Sequence, residues 1–185
     1  LADPDDKHWR TVYTATLEFA AKIKAEFVVV HTNEAVYLKP EETSSIIESR
    51  LQTICAIAAE HRVTLLIENV GLRTKNLVYD WEEFQALLTR FPRCGLLIDT
   101  GHARVNNWDL PALIQRFGNK ITAFHLHDND GSSDAHLPIG RGSIAWPAVF
   151  QAIKTHSPNA KLILEYAEMP FTEVDTHINS LKVTY

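Results

Sequence analysis

The strongest constraint on what this chain can fold into is a rhythm. Five short apolar runs recur along its 185 residues, separated by segments with helical periodicity. The runs read as strands over Glu26–His31, Val63–Glu68, Cys94–Asp99, Ile121–His127 and Lys161–Glu165. They are continuous, as in Phe27-Val-Val-Val30, rather than alternating. Continuous apolar strands belong in a parallel sheet with both faces covered. The segments around them read as amphipathic helices over Lys7–Ala25, Pro40–His61, Trp81–Phe91, Trp108–Phe117, Ile144–Thr155 and Thr172–Val183. Pro40 suits a first helical turn, where a missing N–H is harmless. Asp80 followed three residues later by Glu83 has the spacing of a capping box. Strands alternating with helices over short links predict an α/β fold with right-handed crossovers. No linker or low-complexity segment interrupts the pattern, so residues 1–185 are expected to form a single domain.

The strand ends carry the chemistry. The five runs finish on or next to His31, Glu68, Asp99, His125 and Glu165. In a parallel sheet all C-terminal strand ends lie on one side, which is the functional rim of barrel and doubly wound α/β proteins. Carboxylates gathered there repel one another unless a cation or a shared proton intervenes. Carboxylates with imidazoles suit a divalent ion such as Mn, Zn, Mg or Co. Cys55 and Cys94 lack metal-type spacing and are expected to be buried, reduced thiols, in keeping with a cytoplasmic location.

The loop from His125 to Gly142 is the densest polar stretch. Of His125 and His127, only one is expected at the interior, the other being structural. Asp128 is a candidate for orienting a histidine. Asp134 and His136 offer two further ligands, and Arg141 a cation for a phosphate or carboxylate. Gly101 is read as allowing a tight turn that returns His102 to the same rim. Asn69 is a candidate to bond a substrate hydroxyl or to orient the Glu68 carboxylate, and Trp146 to staple the following helix. The formal charge of -5 provides no basic footprint, so nucleic acid is not an expected partner. No run approaches the roughly 20 apolar residues of a membrane span, and no secretory leader is visible.

Taken in order, Leu-Leu-Ile-Glu68-Asn, Leu-Leu-Ile-Asp99-Thr-Gly-His102, His125-Leu-His-Asp, Asp134-Ala-His136-Leu-Pro-Ile-Gly140-Arg-Gly142 and Leu-Ile-Leu-Glu165 resemble the xylose isomerase-like TIM barrel superfamily. That group includes sugar phosphate isomerases/epimerases and the endonuclease IV family. The resemblance implies that the strands are the fourth to eighth of a (β/α)8 barrel, with the first three βα units absent. Five strands cannot close an eight-stranded barrel, so a partial barrel is expected, with homo-oligomerisation through its open edges or reduced activity.

The resemblance also implies roles. Glu68, Asp99, His125 and Glu165 match the metal ligands of the ketose 3-epimerase branch, where the two glutamates exchange the substrate proton through an enediolate. His102 matches a residue that contacts substrate there. In the endonuclease IV branch the same positions join a three-zinc cluster, which His31, His102, Asp134 and His136 would extend. A sugar or sugar phosphate isomerase is the leading expectation. A metal-dependent phosphodiesterase is the alternative, followed by a non-catalytic barrel that keeps a metal site.

Overall fold

The computed structural model describes residues 1, 6–32, 40–71 and 79–184. The chain forms two compact units, Leu1–Leu97 and Ile98–Tyr185. Its strands are hydrogen-bonded in chain order in a five-stranded sheet.

The first unit contains α1 (Asp6–Lys22), β1 (Phe27–His31), α2 (Pro40–His61), β2 (Thr64–Glu68), α3 (Trp81–Arg90) and the start of β3 (Gly95–Asp99). Strands β1 and β2 run parallel with Val28 opposite Leu65 and His31 opposite Glu68. Strand β3 joins β2 with Leu66 opposite Gly95. Helix α2 buries Ile47, Leu51, Ile54 and Ala58. Their spacing of three or four residues sets them on one helical face, which packs toward β2 and α1. The capping box forms as the spacing predicts. The Glu83 N–H donates to Asp80 at 2.9 Å, and the Asp80 N–H donates back to Glu83 at 3.0 Å.

The second unit continues through α4 (Thr100–Val105), α5 (Leu110–Phe117), a 3-10 turn (Gly118–Lys120), β4 (Ile121–Leu126), α6 (Trp146–His156), β5 (Lys161–Leu164) and α7 (Phe171–Thr184). Strands β4 and β5 are parallel, with Phe124 opposite Leu162 and Leu126 opposite Leu164. Helices α5 and α6 pack together and bury Leu113, Ile114, Trp146, Val149 and Ile153.

Three expectations need correction. Helices α5 and α6 start two residues later than their apolar patterns suggest. Pro111 and Pro147 decide this, because proline lacks an N–H and fits only the first turn. Helix α4 had no expected counterpart; it is six residues long and springs directly from β3, capped by the last residue of that strand. Coverage of both sheet faces holds for β2 and β3 beyond the first residue of each but fails at the ends of the strand order. Most of β1 is half-buried, and β5 opens on exposed Lys161 and Leu162. Among the described residues, no helix is long and apolar enough to cross a membrane.

Candidate metal centre

In the first unit, β1 and β2 end side by side, and their register brings His31 to Glu68. The His31 Nε2 lies 2.8 Å from the Glu68 carboxylate, which is 1% exposed. A carboxylate only accepts, so the imidazole donates. Asn69, the next residue, is fully buried.

In the second unit Asp99 is the hub. It is completely buried. One oxygen accepts the His102 N–H at 2.7 Å and caps α4. The His127 Nε2 lies 3.0 Å from both oxygens, and His125 Nδ1 approaches to 3.9 Å. The Thr100 hydroxyl clamps the neighbouring strand end. It donates to the His127 carbonyl at 2.8 Å and accepts the His127 N–H at 3.1 Å. Gly101 stands where no side chain fits, because a Cβ there would overlap the His127 ring. The expected reason for this glycine, a tight turn, is therefore wrong: it is helical, and close approach is what requires it.

The loop after β4 is closed by its own backbone. Asp128 and Leu137 exchange two hydrogen bonds as an isolated antiparallel bridge. Asp128 was expected to orient a histidine; it orders the loop instead. Its buried carboxylate accepts the N–H groups of Asn129, Gly140 and Ile144 and the Trp146 indole N–H, all at 2.8–3.1 Å. Trp146 is thereby pinned at the head of α6. Gly142 leaves room for this arrangement, since a Cβ there would strike Asp128 and the Asn129 backbone. The loop then meets the end of β5 through the Ala167 N–H and the His136 carbonyl, 3.0 Å apart.

Among the described residues of this unit three overlapping groups of possible ligands result, the third joining His127 and His136 to Glu165. Asp99, His125 and Glu165 each offer an atom within 4.8 Å of the others, and His125 Nδ1 is 3.0 Å from Glu165. His102, Asp134 and His136 form the second group. Both imidazoles place Nε2 3.1 Å from the same Asp134 oxygen. His136 reaches this place with a left-handed backbone, φ 46°. Burial works to raise the Asp134 carboxyl, but the hydrogen bond from His102 and the charges of His102, His136 and His127 outweigh it and hold it at about 2.

The donor chemistry of the first two groups fits a divalent ion. Two carboxylates and an imidazole share the first, and a cation relieves their repulsion. In the second, His136 Nδ1 lies 3.0 Å from the Glu165 carbonyl, which can only accept. With Nδ1 donating there, Nε2 faces Asp134, a contact that a proton or a metal ion on Nε2 completes.

His127 was the residue that sequence reasoning misplaced. Residues two apart on an extended segment share a face; His127 lies one residue beyond β4, and it and His125 both turn toward Asp99. The His127 ring is fully buried and stacks on His136 at 3.9 Å. Arg141 is exposed in the turn after Pro138. The cysteines are half-buried rather than buried, and both are free thiols.

Residues 1–183 match the family described as xylose isomerase-like TIM barrel. The chain belongs to that family. An uncharacterised protein of Methanocaldococcus jannaschii is 28% identical over 172 residues, covering 90% of this chain and 64% of that protein. A protein of Thermoplasma acidophilum named "Probable endonuclease 4" is 27% identical over 158 residues, covering 77% of this chain and 54% of its own length. This chain thus spans less than two thirds of either relative. Among solved structures, a D-tagatose 3-epimerase-like protein superposes with a TM-score of 0.79 at 22% identity, over 98% of this chain and 71% of that one. The IOLI protein with a bound zinc atom follows at 0.77 and 20% identity, over 98% and 70%. At that identity the likeness shows the fold: an α/β chain of the TIM-barrel type, here with five parallel strands.

Proposed function

We propose that this chain is a divalent-metal-dependent sugar or sugar phosphate isomerase/epimerase. The observation that carries the reading is the grouping of Asp99, His125 and Glu165, two acids and an imidazole set within 4.8 Å at the ends of consecutive strands. Glu68 is the fourth ligand by family resemblance. The epimerase-like fold neighbour and the zinc-bearing one support the same reading. A bound divalent ion would supply Lewis-acid polarisation of the substrate carbonyl. One of Glu68 and Glu165 removes the proton next to that carbonyl, leaving an enediolate, and the other returns it. His125 steadies the Glu165 carboxylate at 3.0 Å, and His31 does the same for Glu68 at 2.8 Å. His102 and Asn69 are assigned to substrate hydroxyls, and exposed Arg141 to a phosphate where the sugar carries one.

The test combines elemental analysis of the purified chain with hydrogen–deuterium exchange on a ketose panel. Glu165→Gln is expected to lower exchange by about 10²–10⁴-fold with the circular dichroism unchanged. Full turnover by that variant would sink the mechanism. Light scattering should show a homo-oligomer, in line with exposed Phe19 and Ile23 in the first unit and Phe171 and Val183 in the second.

A specific observation favours a second reading, a phosphodiesterase resembling endonuclease IV. The His102, Asp134 and His136 group is a further place for an ion, and relatives named endonuclease 4 exist. A single tightly held ion per chain supports the isomerase, and several support the phosphodiesterase. Metal without turnover on either substrate class supports a non-catalytic barrel.

A further inference from the structure

Cys55 lies on α2 and Cys94 immediately before β3, both within the first unit. Their Sγ atoms are 3.0 Å apart although 39 residues separate them in sequence. Both thiols line a surface cavity of about 530 Å³, together with Glu48, Arg90 and Arg93. A protein disulfide is about 2.0 Å long, so closing the pair needs a movement of only about 1 Å. Buried structural cysteines are usually inert for want of access. These two are half-buried rather than buried and open onto a cavity lined by guanidinium groups.

We propose that Cys55 and Cys94 form a reversible redox modification site, oxidised to an intrachain disulfide by small anionic disulfides. Arg90 is held by Glu48 at 2.6 Å. Exposed Arg93 supplies a second guanidinium for a carboxylate of the incoming molecule. The Cys55 thiolate attacks one sulfur of the small disulfide, whose S–S bond breaks and releases a thiolate with the electron pair. This leaves a mixed disulfide on Cys55. Cys94 gives its proton to solvent and attacks the Cys55 sulfur, expelling the second small thiolate. The protein loses two electrons and two thiol protons, and the small disulfide becomes two thiols.

The hydrogen bond between the two sulfurs couples their titration. That bond holds the Cys55 thiol below its ordinary value against the opposing effect of burial. The same bond, with burial and the charge on Cys55, pushes Cys94 up. The bond between the sulfurs can run either way, so the same exchange proceeds with the two cysteines interchanged.

The test equilibrates the unaltered chain in glutathione buffers from reducing to oxidising, followed by acid quench, intact mass and peptide mapping. Loss of both thiol hydrogens with a Cys55–Cys94 cross-linked peptide is expected. Cys94→Ser should accumulate a glutathione adduct on Cys55, and Cys55→Ser one on Cys94, neither with a cross-link. Two free thiols at the most oxidising poise would overturn the proposal. So would separate adducts on each cysteine without a link. The measurement on the unaltered chain decides the question even if a variant fails to fold.

Discussion

In the first unit the end of β2 holds Glu68 against the His31 imidazole at 2.8 Å, a contact set by the pairing register of two adjacent strands. In the second unit Asp99 meets His102, His125 and His127, and the loop after β4 adds Asp134 and His136. The first arrangement depends on strand register. The second depends on a loop closed by Asp128, on a glycine that admits a ring, and on a threonine that clamps two backbone groups. Interlocked polar groups respond to substitution as a network rather than pair by pair. The two units should therefore differ sharply in how far a single change spreads.

Asp128→Ala should have the largest effect. It removes the acceptor of four N–H donors at 2.8–3.1 Å. Leaving buried donors unpaired costs about 1–3 kcal/mol each, so a loss of roughly 3–5 kcal/mol is expected in urea unfolding after partial relaxation. Amide exchange across residues 129–144 should quicken, while the first unit keeps its protection. If that loop stays protected, the idea that one carboxylate holds it fails.

Gly101→Ala comes next. The added methyl overlaps the His127 ring, and overpacking a rigid site costs about 1–3 kcal/mol. The imidazole resonances of His127 and its stacking partner His136 should shift together, whereas those of His31 in the first unit should not. Movement of His31 alone would contradict the comparison.

Glu83→Ala probes the other side. It deletes half of the α3 capping box, worth about 0.5–1 kcal/mol. Stability should fall by that amount with metal affinity unchanged, because the cap touches no ligand candidate.

The smallest effect appears only in alkali. Burial raises the Tyr166 phenol, the backbone hydrogen bond from Ile139 works against it, and the Asp128 charge adds to the rise, reaching about 12. A raised folded-state value means that the stability it contributes is complete below the ordinary value of about 10. That contribution is lost as pH climbs through about 12. Tyr166→Phe should flatten the stability curve of the second unit over that window. In the first unit Tyr79 is also raised, chiefly by burial, so its tyrosinate absorbance should emerge at still higher pH.

Much of this was legible in the residues. The apolar runs placed all five strand ends to within one residue, and with them Glu68, Asp99, His125 and Glu165, because continuous hydrophobicity is a local signal. Asp80 and Glu83 announced a cap three residues apart and formed one. His127 was misjudged although strand parity was available: two residues along a strand return to the same face. Asp128 was not readable in its actual role. Its four partners lie up to 18 residues away, and only the folded loop brings them to one carboxylate.

The sequence by itself determined the βα order, the helix caps and the kinds of atom offered at each strand end. These follow from periodicity, proline placement and side-chain chemistry, all of which act over a few residues. Tertiary structure decided which of those atoms meet. It set His31 on Glu68, stacked His127 on His136, and brought two cysteines 39 residues apart to 3.0 Å. Sheet register, helix packing and loop closure set such distances, and none of them is a property of the local pattern.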